Sequence, residues 1–74
     1  MKDCIIAMRS ITLANKAERA LRAAGIKTEL VSVEPSLTKR GCSYGLNVSC
    51  DLVDESEKLL DRRGIGHGEV IGRY

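Results

Sequence analysis

A short segment of this chain occurs twice. Glu18-Arg19-Ala20-Leu21-Arg22-Ala23-Ala24-Gly25-Ile26 is echoed by Glu57-Lys58-Leu59-Leu60-Asp61-Arg62-Arg63-Gly64-Ile65, with Glu, Leu, Gly and Ile in register and Arg19 matched by Lys58. Each copy reads as the end of a helix stopped by glycine, the residue that most readily takes the left-handed conformation a helix stop requires. Strand-like residues follow each copy, Thr28 to Val33 after the first and Glu69 to Ile71 after the second. Ahead of the first helix the apolar run Cys4 to Met8 suits a buried strand. Ahead of the second, Leu46 to Asp51 alternates apolar and polar with period two.

The helices carry their own signals. Ser10 or Thr12 is placed to cap the first, and Asp51 or Asp54 the second. Ala14, Ala17, Leu21 and Ala24 recur at helical spacing, and Leu59 and Leu60 form the apolar stripe of the second helix. The order β-α-β, loop, β-α-β predicts one domain over residues 1–74, a ferredoxin-like βαββαβ sandwich of the α+β class. Four antiparallel strands would carry both helices on one face. Such a topology gathers three features at one end: the start of the first helix (Arg9 to Thr12), the hairpin loop Glu34 to Gly45, and the turn Gly64 to Gly68. Cys42 and His67 fall at that end, whereas Cys4 and Cys50 fall near the other, on neighbouring strands.

Size and charge exclude several classes. A domain of 74 residues removes only roughly 60% of its unfolded surface from water, so its core is thin. Such a chain is more often a carrier, binding module or subunit than a stand-alone enzyme. With no Phe or Trp the core must be aliphatic, and the net charge of +2 is too small to argue for nucleic acid or an anionic membrane. No apolar run reaches the ~18 residues of a membrane span. The apolar stretch after Asp3 is too short for a signal peptide, and a cytoplasmic location is expected. Phosphate-loop and dinucleotide glycine motifs are absent, the expected strands hold no aromatic residue for stacking RNA bases except Tyr74 at the terminus, and no C-x-x-C spacing argues for metal. No cofactor or metal site is expected.

The three cysteines cannot all pair within the chain, which suits reducing surroundings. Cys50 continues the apolar face of Leu46 and Val48, and Cys4 lies in an apolar run; both read first as small buried hydrophobes. The alternative is that they pair across the sheet as a redox disulfide. Cys42 differs. It sits in Pro35-Ser36-Leu37-Thr38-Lys39-Arg40-Gly41-Cys42-Ser43-Tyr44-Gly45, the longest irregular stretch, and a hairpin needs only two to five residues. Gly41 and Gly45 allow the backbone to fold around the sulfur or approach a partner. Lys39, Arg40 and the positive end of the first helix favour thiolate over thiol. His67, between Gly66 and Gly68, is either a base within reach of Cys42 or a solvated loop histidine.

An opening strand ending in Ser10, then Ala14-x-x-Ala17-Glu18-x-x-Leu21-x-x-Ala24-Gly25-Ile26, Leu30, Pro35 and Gly41-Cys42 entering Leu46-Asn47-Val48, resembles the selenium/sulfur (Se/S) carrier-like proteins over nearly the whole chain. Ser43 stands where many relatives have glycine. The resemblance implies that Cys42 accepts sulfur or selenium as Cys–S–SH or Cys–S–SeH and hands it on. The donor would be a cysteine desulfurase-like protein, and the acceptor a selenium- or sulfur-using enzyme. Lys39 and Arg40 would stabilise the anionic persulfide, and Ser10 and Ser43 would donate hydrogen bonds to it.

Two other readings compete. One is a dimeric, ligand-binding regulatory module without cysteine chemistry. The first strand gives it weight, because Ile5 and Ala7 as well as Cys4, Ile6 and Met8 are apolar, and the open sheet face would be covered by a second copy. The other is a thiol redox sensor using Cys42 and a partner chain.

Overall fold

The computed structural model describes residues 3–34, 36 and 43–73. In chain order the elements are β1 (Asp3–Met8), α1 (Ile11–Ala23), β2 (Glu29–Ser32), β3 (Tyr44–Ser49), a 3₁₀ turn (Cys50–Leu52), α2 (Val53–Arg62) and β4 (Val70–Arg73). The strands form one sheet in the order β2-β3-β1-β4 with every neighbouring pair antiparallel, an α+β arrangement.

Alternation across the sheet makes the core. Ile6 lies opposite Leu46 and Val70, and Leu30 opposite Leu46. Side chains of directly opposed residues project to the same face. Ile6, Met8, Leu46 and Val48 join Ala14, Ala17, Ala20 and Leu21 of α1 and Val53 and Leu60 of α2 in one cluster. The small alanines let α1 lie close to the sheet, which suits a core built without Phe or Trp.

The helix stops are built alike. Gly25 (φ 81°) and Gly64 (φ 68°) are the two glycines with positive φ among the described residues. Ile26 N–H donates to Leu21 O (2.9 Å) and Gly25 N–H to Arg22 O (3.0 Å); Ile65 N–H donates to Leu60 O (2.9 Å) and Gly64 N–H to Asp61 O (3.1 Å). Each pair of bonds is a Schellman stop, with the following isoleucine folded back onto the core. The echo is thus a duplicated helix terminus.

Local corrections follow from packing. Ser10 caps α1, accepting from Leu13 N–H at 3.2 Å, while Thr12 lies inside the helix. Ala24 is the exposed C-cap residue and Ala20 takes the buried place. Neither Asp51 nor Asp54 caps α2: the chain enters it through the 3₁₀ turn with no side-chain cap. β3 begins at Tyr44 and ends before Cys50, and Thr28 and Val33 fall outside β2. On the face opposite the helices' core, Ile5 (6% exposed), Ala7 (0%) and Val33 (8%) are buried within the single chain. A second copy is therefore not needed to remove them from water.

Candidate functional site

The strand register decides which special residues meet. Met8 at the end of β1 lies opposite Tyr44 at the start of β3, and Ser32 lies opposite Tyr44 on the other side. Val33 N–H donates to Ser43 O (2.9 Å) and closes the base of the long β2–β3 connection. Gly68 N–H donates to Ala7 O and Ala7 N–H to Glu69 O, which ties the turn before β4 to the end of β1. Ser10, Ser43 and the turn carrying His67 therefore belong to one end of the sheet. Ser43 is exposed and Ser10 half-buried.

Each of these residues has a local cause for its position. The Ser10 hydroxyl is engaged at the start of α1, where it satisfies one of the helix's free amides. Gly45 lies inside β3 and is buried. A Cβ there would stand 2.5 Å from Ile5 Cγ2 and 2.9 Å from Val33 Cγ2, so the sheet face requires glycine for space. The residue expected in the loop therefore belongs to the strand. Cys42, Gly41, Lys39 and Arg40 lie outside the described residues.

His67 is drawn over α2. Its side chain is 14% exposed, with Nε2 3.4 Å from Asp61 Oδ1 and Nδ1 3.9 Å from Glu57 Oε2. Nδ1 also lies 2.9 Å from Gly68 O, a contact that needs the proton on Nδ1 because a carbonyl only accepts. Glu57 and Asp61 stand one helical turn apart, so both carboxylates face the ring. That i,i+4 pair of acids was legible in the sequence as the partner of His67. No group of His, Cys, Asp and Glu side chains among the described residues is arranged to hold a metal ion.

The other end of the sheet holds the other two cysteines. Cys4 of β1 and Cys50 of the 3₁₀ turn form a disulfide, Cα–Cα 5.0 Å, across a sequence separation of 46. The two residues are half-buried, and the pairing replaces the picture of two buried thiols. Its cause is the register: Cys4 lies opposite Val48, and the turn after Ser49 swings Cys50 back towards β1. The bond consumes two of three cysteines and leaves Cys42 without a cysteine partner in its own chain.

Near this end, a groove of about 940 Å³ is lined by Arg22, Lys27, Thr28, Glu29, Asn47 and Leu52, among others. The buried Thr28 Oγ1 and Asn47 Oδ1 have no hydrogen-bond partner among the described residues. No helix among the described residues is long and apolar enough to cross a membrane.

No curated protein and no solved structure matches the chain. A family model described as "Putative Se/S carrier protein-like" matches residues 3–71. The match covers both copies of the echo, both helices and the stretch around Cys42, and the chain belongs to this Se/S carrier-like family.

Proposed function

We propose that this protein carries sulfur or selenium on Cys42 and relays it between a cysteine desulfurase-like donor and a selenium- or sulfur-using acceptor. Membership of the Se/S carrier-like family supports the reading. The observation that carries it further is the Cys4–Cys50 disulfide, which leaves Cys42 as the one cysteine not taken up by that bond. A carrier needs one thiol that no neighbour can resolve into an internal disulfide.

The transfer balances without an added oxidant. The Cys42 thiolate attacks the outer sulfur of a donor persulfide; the donor's S–S bond breaks, its cysteine leaves as thiolate, and Cys42–S–SH forms. An acceptor nucleophile then takes the outer sulfur and returns Cys42 to thiolate. Thiolate fraction and access govern both steps. Lys39 and Arg40 supply positive charge beside the anion, and Ser43 and Ser10, at the same end of the sheet, supply hydroxyls. In this proposal the β2-β3-β1-β4 order with its two βαβ halves is the ferredoxin-like sandwich, a rigid support that holds one loop at an edge.

The experiment is intact-mass analysis after incubation with a cysteine desulfurase and cysteine. The proposal expects a gain of one sulfur atom, removed by reductant, present in wild type and in Cys4→Ser with Cys50→Ser, and absent in Cys42→Ser. No adduct on any variant, with Cys42 still freely alkylated, overturns it. The groove near the Cys4–Cys50 end of the sheet favours one second reading, a metabolite-binding regulatory module. Saturable binding of a small metabolite that Cys42→Ser leaves unchanged would support that module.

A further inference from the structure

The outward face of α1 carries Ile11, Thr12, Asn15, Lys16, Arg19, Arg22 and Ala23, all exposed. Its charges are of one sign. The helix's single acid, Glu18, is turned away: its side chain is 23% exposed, and its carboxylate accepts from Leu30 N–H (3.2 Å) and lies 3.6 Å from Arg22 Nη2. None of the ion pairs of the described residues engages Lys16 or Arg19. Ile11, 40% exposed, is the exposed large hydrophobic residue of the described structure, and it sits at the N-terminal end of this same face.

Helix stability accounts for Arg22, which sits in the last turn, pairs with Glu18 and donates to Thr28 O (3.1 Å), but not for Lys16 and Arg19. Lys16 and Arg19, and Arg19 and Arg22, are like charges three residues apart, a spacing at which they repel. The first turn has no acid to meet the positive end of the helix. α2 differs at its start, with Asp54 and Glu55 in its first turn and Lys58 four residues after Asp54, while the last turns are alike, with Arg22 in α1 and Arg62 in α2. Two helices that end identically and share one core therefore present different outer surfaces. The α1 surface has the composition of a contact: an apolar side chain at one end and a row of cations behind it.

We propose that the outward face of α1 is a docking surface for an acidic segment of a partner protein. From Ile11 to Arg19 the face runs ~12 Å at about 1.5 Å per residue, a little over two turns of helix. The matching segment presents carboxylates at helical spacing towards Lys16 and Arg19 and an apolar side chain towards Ile11. Complementary charge steers such a partner and fixes its direction along the helix. Ile11 follows the end of β1, where Met8 lies opposite Tyr44, so the apolar end of the surface lies at the same end of the sheet as the base of the β2–β3 connection. The surface is a property of α1 and stands without any chemistry at Cys42.

The test is a titration of the full chain, followed by backbone amide NMR, with a synthetic acidic peptide carrying glutamates at helical spacing and one leucine near its end. Shifts centred on the outward face of α1 are expected. Lys16→Glu with Arg19→Glu should weaken binding at least about tenfold, and Ile11→Ser about fivefold. Arg62→Glu with Arg63→Glu on α2 should change it less than about twofold. Lys16→Gln with Arg19→Gln, which removes charge without adding repulsion, should weaken it in the same direction; circular dichroism confirms that each variant is folded. Equal loss in the α2 variant, binding by the α1 variant within twofold of wild type, or tighter binding of a single-stranded oligonucleotide of matched charge overturns the proposal.

Discussion

The two halves of this domain end their helices in the same way and begin them in different ways. At the C-termini, Gly25 and Gly64 take positive φ, and Ile26 and Ile65 each donate back to a leucine carbonyl, Leu21 and Leu60. At the N-termini the likeness breaks. The shift that superposes Glu18 on Glu57 carries Ser10 onto Ser49 and Ile11 onto Cys50. Ser10 caps α1 with its hydroxyl, whereas Ser49 makes no side-chain cap and the following residue is bonded to Cys4. A helix stop is a local backbone problem with few solutions, so both copies keep the same one. A helix start is open to other anchors, and here one half uses a hydrogen bond and the other a covalent bond between elements.

The disulfide should be the largest breakable part of that contrast. Closing a separation of 46 residues restricts the unfolded chain by about 4 kcal/mol in the chain-entropy treatment. Reduction, or Cys4→Ser with Cys50→Ser, should therefore lower unfolding free energy by about that amount in urea titrations. Hydrogen exchange should then open the first turn of α2 before that of α1. Unchanged stability on reduction would mean that the covalent anchor is not what holds the second helix start. Cys42→Ser should leave the urea midpoint where it is, which separates the staple from the proposed carrier thiol.

The two glycine stops should be equal, which is the sharpest check on the duplicated half of the comparison. Apart from the flanking residues, no atom of the described residues lies within 4 Å of a Cβ built on either Gly25 or Gly64. Alanine at either position then meets only the backbone penalty of the left-handed conformation, about 1 to 2 kcal/mol. Gly25→Ala and Gly64→Ala should agree within a few tenths of a kcal/mol. A clear difference would show that the two stops, though alike in hydrogen bonding, are under different strain. Gly45→Ala behaves differently, because its Cβ runs into Ile5 and Val33; overpacking of that kind costs about 1 to 3 kcal/mol.

The order of elements, the helix stops and the assignment of Ser10, His67, Cys4 and Cys50 to the two ends of the sheet were all legible in the sequence. They follow from periodicity and glycine placement, which are local. What was not legible depends on relations between elements. The Cys4–Cys50 bond needs the β1–β3 register and the 3₁₀ turn after Ser49, neither of which a short apolar strand specifies by itself. The exchange of Ala24 for Ala20 in the core depends on where the helix stops, a matter of one residue. Gly45 reads as a loop glycine because it follows an irregular, glycine-containing segment, yet its neighbours across the sheet, Ile5 and Val33, are remote in sequence. Conversely, His67 could have been paired with Glu57 and Asp61 by noting that those acids share one face of a helix ending just before it.

The smallest effect tests the starts directly. Ser10 and Ser49 occupy equivalent places in the echo, and each stands immediately before a helical segment. Only Ser10 has its hydroxyl on a helix amide, Leu13 N–H at 3.2 Å. Removing a cap of this kind costs about 1 kcal/mol, so Ser10→Ala should destabilise the domain by that amount. Ser49→Ala should change stability by less than about 0.5 kcal/mol, because no cap bond is lost. With the disulfide reduced, the two helix starts become more alike in what anchors them, and Ser49 becomes the residue placed to take over. A larger effect of Ser49→Ala in the reduced protein than in the oxidised one would mean that covalent bond and cap substitute for each other at the same position. Equal effects in both states would mean that the 3₁₀ turn keeps the hydroxyl of Ser49 from the helix amides regardless of the bond. The difference between the halves would then lie in the backbone of the turn and not in the cysteines.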